Sequence, residues 1–401
     1  MPEFDKRPVK KPVSQRSPAG QVRSDGNIRI LRRKENIAVS IFRGLLPWKG
    51  DAPGDIVRKL IFIGSLALII WAAGHIIDFY VLREARSARE WREIMEIRDS
   101  YTGEEFIGVH FPQHMGSDGT GGEPVNVIGM YYDWYNKNND FVGYLEIYPI
   151  IQHPVYQYAY YDENGAWVGD NEFYLKHNHD RIPTTNGTVF ADWEGRFTPT
   201  ERPHNIIIYG HNLQNKDLFQ PLMNYRPNRT SGVDSFEFLK QNPVITFDTL
   251  YEYGTYKIFA VFQSNIRPTQ GEVFDYWRHV YFRSKSHFDN FVAGILDRSM
   301  YYTNVDLQYG DELLMLSTCD FEIFANGADS SVRLVIVARR VRDNEYAAFT
   351  QAEIDAFIDN RGVNENGQLR RRMFEEYYRV RFPSGWGGRN WDLNYIKDFE
   401  R

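Results

Sequence analysis

One thiol, one guanidinium and one imidazole are the side chains here whose placement could support covalent chemistry. Cys319 is the only cysteine in 401 residues, and it ends the run "LLMLSTC" where apolar residues give way to "DFE". A lone cysteine is ordinarily a small buried hydrophobe. As a nucleophile it must instead reach the thiolate, which takes a neighbouring base or cation. Arg333 stands near the start of "SVRLVIVARR", after the loop "DFEIFANGADSS". If the two apolar runs pair antiparallel, the end of the first lies beside the start of the second, and Cys319 meets Arg333. Alternation then sets Arg333 on one face with Val335 and Val337, and Leu334 and Ile336 on the other. Of ten histidines, His211 in "NIIIYGHN" is the best placed, just past a short apolar strand and a glycine. His177 and His179 in "LKHNHD" make a two-histidine corner for which spacing supplies no third or fourth metal ligand, so a solvated loop is the expectation. No glycine-rich phosphate loop follows a strand, no cysteine pair of zinc type is present, and nothing points to nucleic acid.

The elements that must hold these residues are mainly strands. From Asp140 onward, "FVGYLEIYPI", "GTVFADW", "HNIIIYG", "NPVITFDT", "YKIFAVFQ", "DELLMLSTC" and "SVRLVIVARR" are short β-branched and aromatic runs punctuated by Gly, Pro, Asn and Asp. Such a series predicts a mainly β domain, a closed barrel or a sandwich. One helix interrupts it, "SKSHFDNFVAGILDRSMYY", with Phe288, Phe291, Val292, Ile295 and Leu296 at three- and four-residue spacing. A second begins at a capping box, Thr350 to Glu353, and is expected to run to Gly362.

Charge and hydropathy divide the chain. Residues 1–59 hold 14 Lys and Arg against 6 Asp and Glu, an excess of +8, so with a whole-chain charge of −6 the remainder carries −14. Between these parts, "LIFIGSLALIIWAAGHIIDFYVL" (60–82) opens with 15 residues that carry no ionisable group. About 20 residues cross a bilayer core, so the segment is long enough to span. The preceding basic residues favour a cytoplasmic N-terminus, which places the acidic part outside. There, structural cysteines normally pair, and an unpaired one stands out. The expected organisation is a basic flexible tail (1–59), a transmembrane helix (60–82), a helical stalk and N-terminal layer (83–139), the barrel (140–342), and an extension packed on or near it (343–401).

The order "NIIIYGHN", "LLMLSTCDFE", "SVRLVIVAR" resembles the sortases, membrane-anchored cysteine transpeptidases of Gram-positive surfaces. Their signature is a strand-ending Thr-Leu-x-Thr-Cys, an arginine on the adjacent strand and a distant upstream histidine. "VGYLEIYPIIQHPVYQ", "DNEFYLKHNH" and "IIIYGHNLQNKDLFQPLMNY" are similar to class B in particular. The likeness covers roughly residues 88–342. Met315 departs from it, standing where the motif has Thr. The resemblance implies a sortase-type β-barrel with added helices. It implies that Cys319 is the nucleophile, His211 the acid and base, and Arg333 the group that holds substrate and oxyanion. Asn171, Leu175, Ser317, Thr318 and Asp320 are expected to line the substrate groove. The implied reaction cleaves an LPxTG-like or NPxTN-like sorting motif at its Thr through a thioacyl enzyme. The protein is then transferred to an amine on a cell-wall precursor or a pilin, with no cofactor or metal. Two rival readings are a pilin polymerase and a non-catalytic membrane-anchored binding module, and the joint presence of the three residues argues against the second.

Overall fold

The computed structural model describes residues 43–77, 95, 96, 98–111, 124–213, 217–226, 232–266, 273–321 and 332–360. The chain divides into two compact units, Met1–Arg83 and Glu84–Arg401. In the first, helix α1 (Pro53–Ile77) carries an apolar window that is unburied, with Lys59 its one buried residue. Its 25 residues span about 37 Å at about 1.5 Å per residue, enough to cross a membrane once. The helix starts seven residues before the expected span, at a proline suited to a first turn. That early start is anchored by Lys59, whose ammonium meets Asp51 at 2.7 Å and donates to the Arg43 carbonyl at 2.7 Å. Residues 78–82 of the expected span, most of the expected stalk helix and everything past Asn360 lie outside the described residues.

The second unit is built from fourteen strands among the described residues: β1 (Phe106–Val109), β2 (Val125–Ile128), β3 (Phe141–Ile147), β4 (Ile151–Tyr156), β5 (Ala159–Tyr161), β6 (Trp167–Gly169), β7 (Phe190–Ala191), β8 (Asn205–Tyr209), β9 (Val244–Thr249), β10 (Thr255–Asn265), β11 (Tyr301–Tyr302), β12 (Leu313–Cys319), β13 (Val332–Arg340) and β14 (Ile358–Asp359). Eight close a barrel in the order β10-β13-β12-β8-β7-β4-β3-β9. Closure leaves this sheet without a free edge. Most neighbours are antiparallel, but β8 runs parallel to β12 and β7 parallel to β4. The parallel pair matters most, because it brings the ends of β8 and β12 to the same rim.

Alternation sorts the strand residues into an inside and an outside. Leu314, Leu316, Leu334, Ile336, Ile206 and Ile208 belong to the barrel interior, plugged by Phe219 and by Leu222, Met223 and Tyr225 of the 3-10 turn Gln220–Tyr225. Leu313, Met315, Val335, Val337 and Ile207 face outward, and helix α4 (Lys285–Arg298) covers them with Phe288, Phe291, Val292 and Ile295. Each such side chain contributes about 1.5–3 kcal/mol by leaving water. Helix α4 begins where Ser284 accepts the His287 amide. Helix α3 (Ser235–Gln241) sends Leu239 into the interior cluster, and α2 (Gly129–Lys137) packs Tyr131, Trp134 and Tyr135 into an aromatic cluster with Phe141, Tyr144 and Tyr156.

The C-terminal helix differs from expectation. The Thr350–Glu353 capping box forms, but α5 (Gln351–Asp355) lasts five residues and Ala356 closes it. Phe357 then buries in the interior cluster, and Ile358–Asp359 pair with Tyr301–Tyr302. Strand pairing and one buried aromatic override local helix propensity here.

Candidate active site

Cys319 is the last residue of β12 and Arg333 the second of β13, and the two are direct register partners. Both follow the outward parity of Leu313, Met315, Val335 and Val337. The thiol is partly exposed. Burial raises its pKa above the ordinary thiol value; Arg333 opposes that shift and the Asp320 carboxylate adds to it. At neutral pH Cys319 therefore rests mostly as a neutral thiol.

His211 arrives on the same rim through the parallel strand. Ser317 is level with Tyr209, the ladder closes with the Gly210 amide on the Ser317 carbonyl at 3.3 Å, and His211 comes next. Gly210 is required by space: a Cβ there would lie 2.7 Å from the Phe219 ring. The imidazole Nε2 is 2.9 Å from the Leu175 carbonyl. A carbonyl only accepts, so Nε2 carries the proton in this arrangement and Nδ1 is the nitrogen left to exchange one.

The five expected groove residues have more varied positions. Ser317 and Thr318 are 1% and 2% exposed, with Ser317 Oγ 2.7 Å from the Tyr276 hydroxyl and Thr318 Oγ1 donating to the Gly210 carbonyl at 2.7 Å. Asp320 is fully buried at 0%, paired with Arg226 Nε at 2.7 Å and accepting from Gln263 Nε2 at 2.5 Å. These three side chains brace the strand end instead of presenting a surface. The Asp320 carboxylate, expected in the substrate groove, is held here in a buried ion pair. Asn171 and Leu175 are partly exposed. Asn171 bridges the Asp192 carboxylate, at 2.9 Å, and the Trp193 amide, at 2.9 Å, and Leu175 lends its carbonyl to His211. His177 and His179 form no corner: His177 bonds the Phe173 carbonyl at 2.7 Å and stacks on its ring, while His179 is buried, not solvated. Met315 is fully buried on the outer face, with Asn205 Nδ2 3.6 Å from its sulfur.

Other site residues were not singled out by sequence. Tyr209 donates to Asp192 at 2.8 Å, and burial, with Asp192 next in effect, pushes its phenol well above the usual range. Burial likewise raises the Asp192 carboxyl. The Tyr276 phenol is pushed up to about 12 by burial, and Arg333 opposes the shift for both tyrosines. Asn212 donates to the Cys319 carbonyl at 2.9 Å. Tyr209 and Asn212 flank His211 in "YGHN" and could have been marked by that adjacency. Arg226, 94 residues from Asp320, had no local signal.

Sortase B of Listeria monocytogenes is 27% identical over 191 residues, 47% of this chain and 67% of that protein. The chain is a sortase relative. Sortase B of Staphylococcus aureus is 20% identical over 211 residues, 51% of this chain and 72% of its own. Among solved structures, sortase B from B. anthracis in complex with AAEK1 overlays with a TM-score of 0.46 at 20% identity, covering 65% of this chain and 100% of that one. No family model matches the chain. The sortase kinship supplies the reaction class, cysteine transpeptidation.

Proposed function

We propose that this sortase cleaves a C-terminal sorting motif of LPxTG-like or NPxTN-like type at its Thr and transfers the protein to a cell-wall amine. The observation that carries the reading is the cross-strand register of Cys319 with Arg333, beside a parallel strand that delivers His211 to the same rim. His211 takes the thiol proton as Cys319 Sγ attacks the Thr carbonyl, and gives it to the departing amine as the bond to the following residue breaks, leaving a thioacyl enzyme. The incoming amine then attacks the thioester carbonyl, losing a proton to His211, which returns it to the departing Cys319 sulfur. Arg333, a fixed cation and donor, steadies the thiol's negative form and the oxyanion. Surface proteins or pilins bearing the motif would be the donors, and an amine on a peptidoglycan precursor or pilin the acceptor. Helix α1 would tether the enzyme as a single-pass protein, N-terminus cytoplasmic, catalytic unit outside.

The test is intact-mass analysis of the full-length chain in detergent micelles with a peptide panel, alongside Cys319→Ala. A mass gain equal to the peptide through its Thr, absent in the variant and discharged by an amine, is expected. A folded chain with a titratable thiol that forms no adduct with any peptide would remove the reading.

A further inference from the structure

The loop that carries His211 and the strand end that carries Cys319 are joined by two side chains whose bonds cross. Thr318, the residue before the nucleophile, donates to the carbonyl of Gly210, the residue before the histidine, at 2.7 Å. Asn212, the residue after the histidine, donates from Nδ2 to the carbonyl of Cys319 itself at 2.9 Å. The parallel ladder ends just before this point, with Ser317 level with Tyr209. Past it, side chains set the offset between the two segments. The far side of the loop is closed as well: the Phe219 amide donates to the His211 carbonyl at 3.0 Å, and Asn212 bridges to Leu218.

From this we infer that Asn212 is a positioning residue for acyl transfer, its amide fixing the histidine backbone at a set distance from the thiol. The inference rests on the transpeptidase reading above. The bond is directional, because the Cys319 carbonyl only accepts and the position therefore requires a hydrogen-bond donor. Thr318 is buried and braces the strand, so its loss would disturb packing. Asn212 is partly exposed, and a neutral side chain of similar size fits there without strain on the core. Misplacing a reacting group by about 1 Å costs on the order of a hundredfold in rate, so a lost tether is felt in the chemical step before binding.

The experiment compares the full-length chain with Asn212→Leu, which fills the space without a donor, and with Asn212→Ala. Two quantities are read in detergent micelles: kcat and KM for transfer from a sorting-motif peptide to a small amine, and amide exchange over residues 205–213. Both variants are expected to lose about tenfold or more in kcat with KM within about twofold, and to exchange the Gly210 amide faster. Wild-type kcat in Asn212→Leu would overturn the inference, since space filling alone would then suffice. A loss confined to KM would overturn it too. If the wild-type chain forms no thioacyl adduct, the transpeptidase reading falls and exchange alone decides. Unchanged exchange in both variants then refutes the tether, and faster exchange upholds it.

Discussion

Replacing Arg226 by Met should cost the barrel more than any surface change could, and its size follows from what is left behind. Arg226 is 1% and Asp320 0% exposed, and the pair is joined at 2.7 and 2.8 Å. Without the guanidinium, Gln263 is among the donors that remain on the carboxylate, but a neutral amide does not balance a buried charge. Removing one partner of a buried ion pair costs about 3–5 kcal/mol, because the survivor keeps its desolvation penalty. For a folding unit of this size each kcal/mol moves the midpoint by about 2–4 °C, so Arg226→Met should melt about 6–20 °C lower. Asp320→Asn should fall by a similar amount, stranding the guanidinium instead. The double variant has no buried charge to compensate and should be more stable than either single one. Thermal unfolding of the full-length chain in micelles, followed by near-UV circular dichroism, reads all four proteins. Single variants melting within a few degrees of wild type, or a double variant losing the sum of the two, would refute the argument.

Arg333→Met should shift the pH midpoint of Cys319 alkylation upward, because Arg333 favours thiolate against the burial that raises the thiol. Below that midpoint the rate falls about tenfold per pH unit, so iodoacetamide labelling across a pH series measures the displacement. Tyr276→Phe leaves the buried Ser317 hydroxyl without its partner at 2.7 Å and should cost about 1–3 kcal/mol, whereas adding Ser317→Ala should restore most of it; denaturant midpoints decide. Met315→Thr, which installs the residue common to the family motif, should destabilise by about 2–4 kcal/mol. It empties volume and buries a hydroxyl under α4, and an unchanged melting point would show that the site repacks.

The strands and their faces were legible because a period of two needs no partner to be read. The split of Val335 and Val337 from Leu334 and Ile336 places the first pair under α4 and the second in the barrel. Applied one step further, the same parity sends Asp320 inward with Leu314, Leu316 and Thr318, where it is found buried. The signal was present, but a carboxylate at a strand end reads as solvated until its cation is known, and Arg226 comes from a distant turn. The strand pattern left a closed barrel beside a sandwich, the resemblance chose the barrel, and the barrel is what forms; the parallel β8–β12 pairing, a long-range choice, was not legible. That is why Asp192 went unmarked, whereas Tyr209 and Asn212, beside His211, carried a local signal that was passed over. Helix α5 was overextended for a related reason: Thr350 states where it begins, but only the pairing of Ile358 with Tyr302 states where it must end.

The ion pair at Asp320 bears on the chemistry as well as on stability. A bare carboxylate one residue after a thiol nucleophile would disfavour the thiolate, the form that reacts. Turning it inward to face Arg226 sets an opposing charge against the carboxylate, and Arg333, the register partner of Cys319, favours ionisation across the strand. The thiol remains raised, so only a minority is thiolate at rest, but a thiolate of high pKa is intrinsically the stronger nucleophile. The arrangement thus trades population for reactivity, with Arg333 setting the population. Loss of Arg226 should accordingly move the alkylation midpoint upward in whatever fraction stays folded. Loss of the Asp320 charge alone should move it downward. Opposite shifts in Arg226→Met and Asp320→Asn, two variants that destabilise alike, would separate this electrostatic effect from simple unfolding, and shifts of the same sign would reject it.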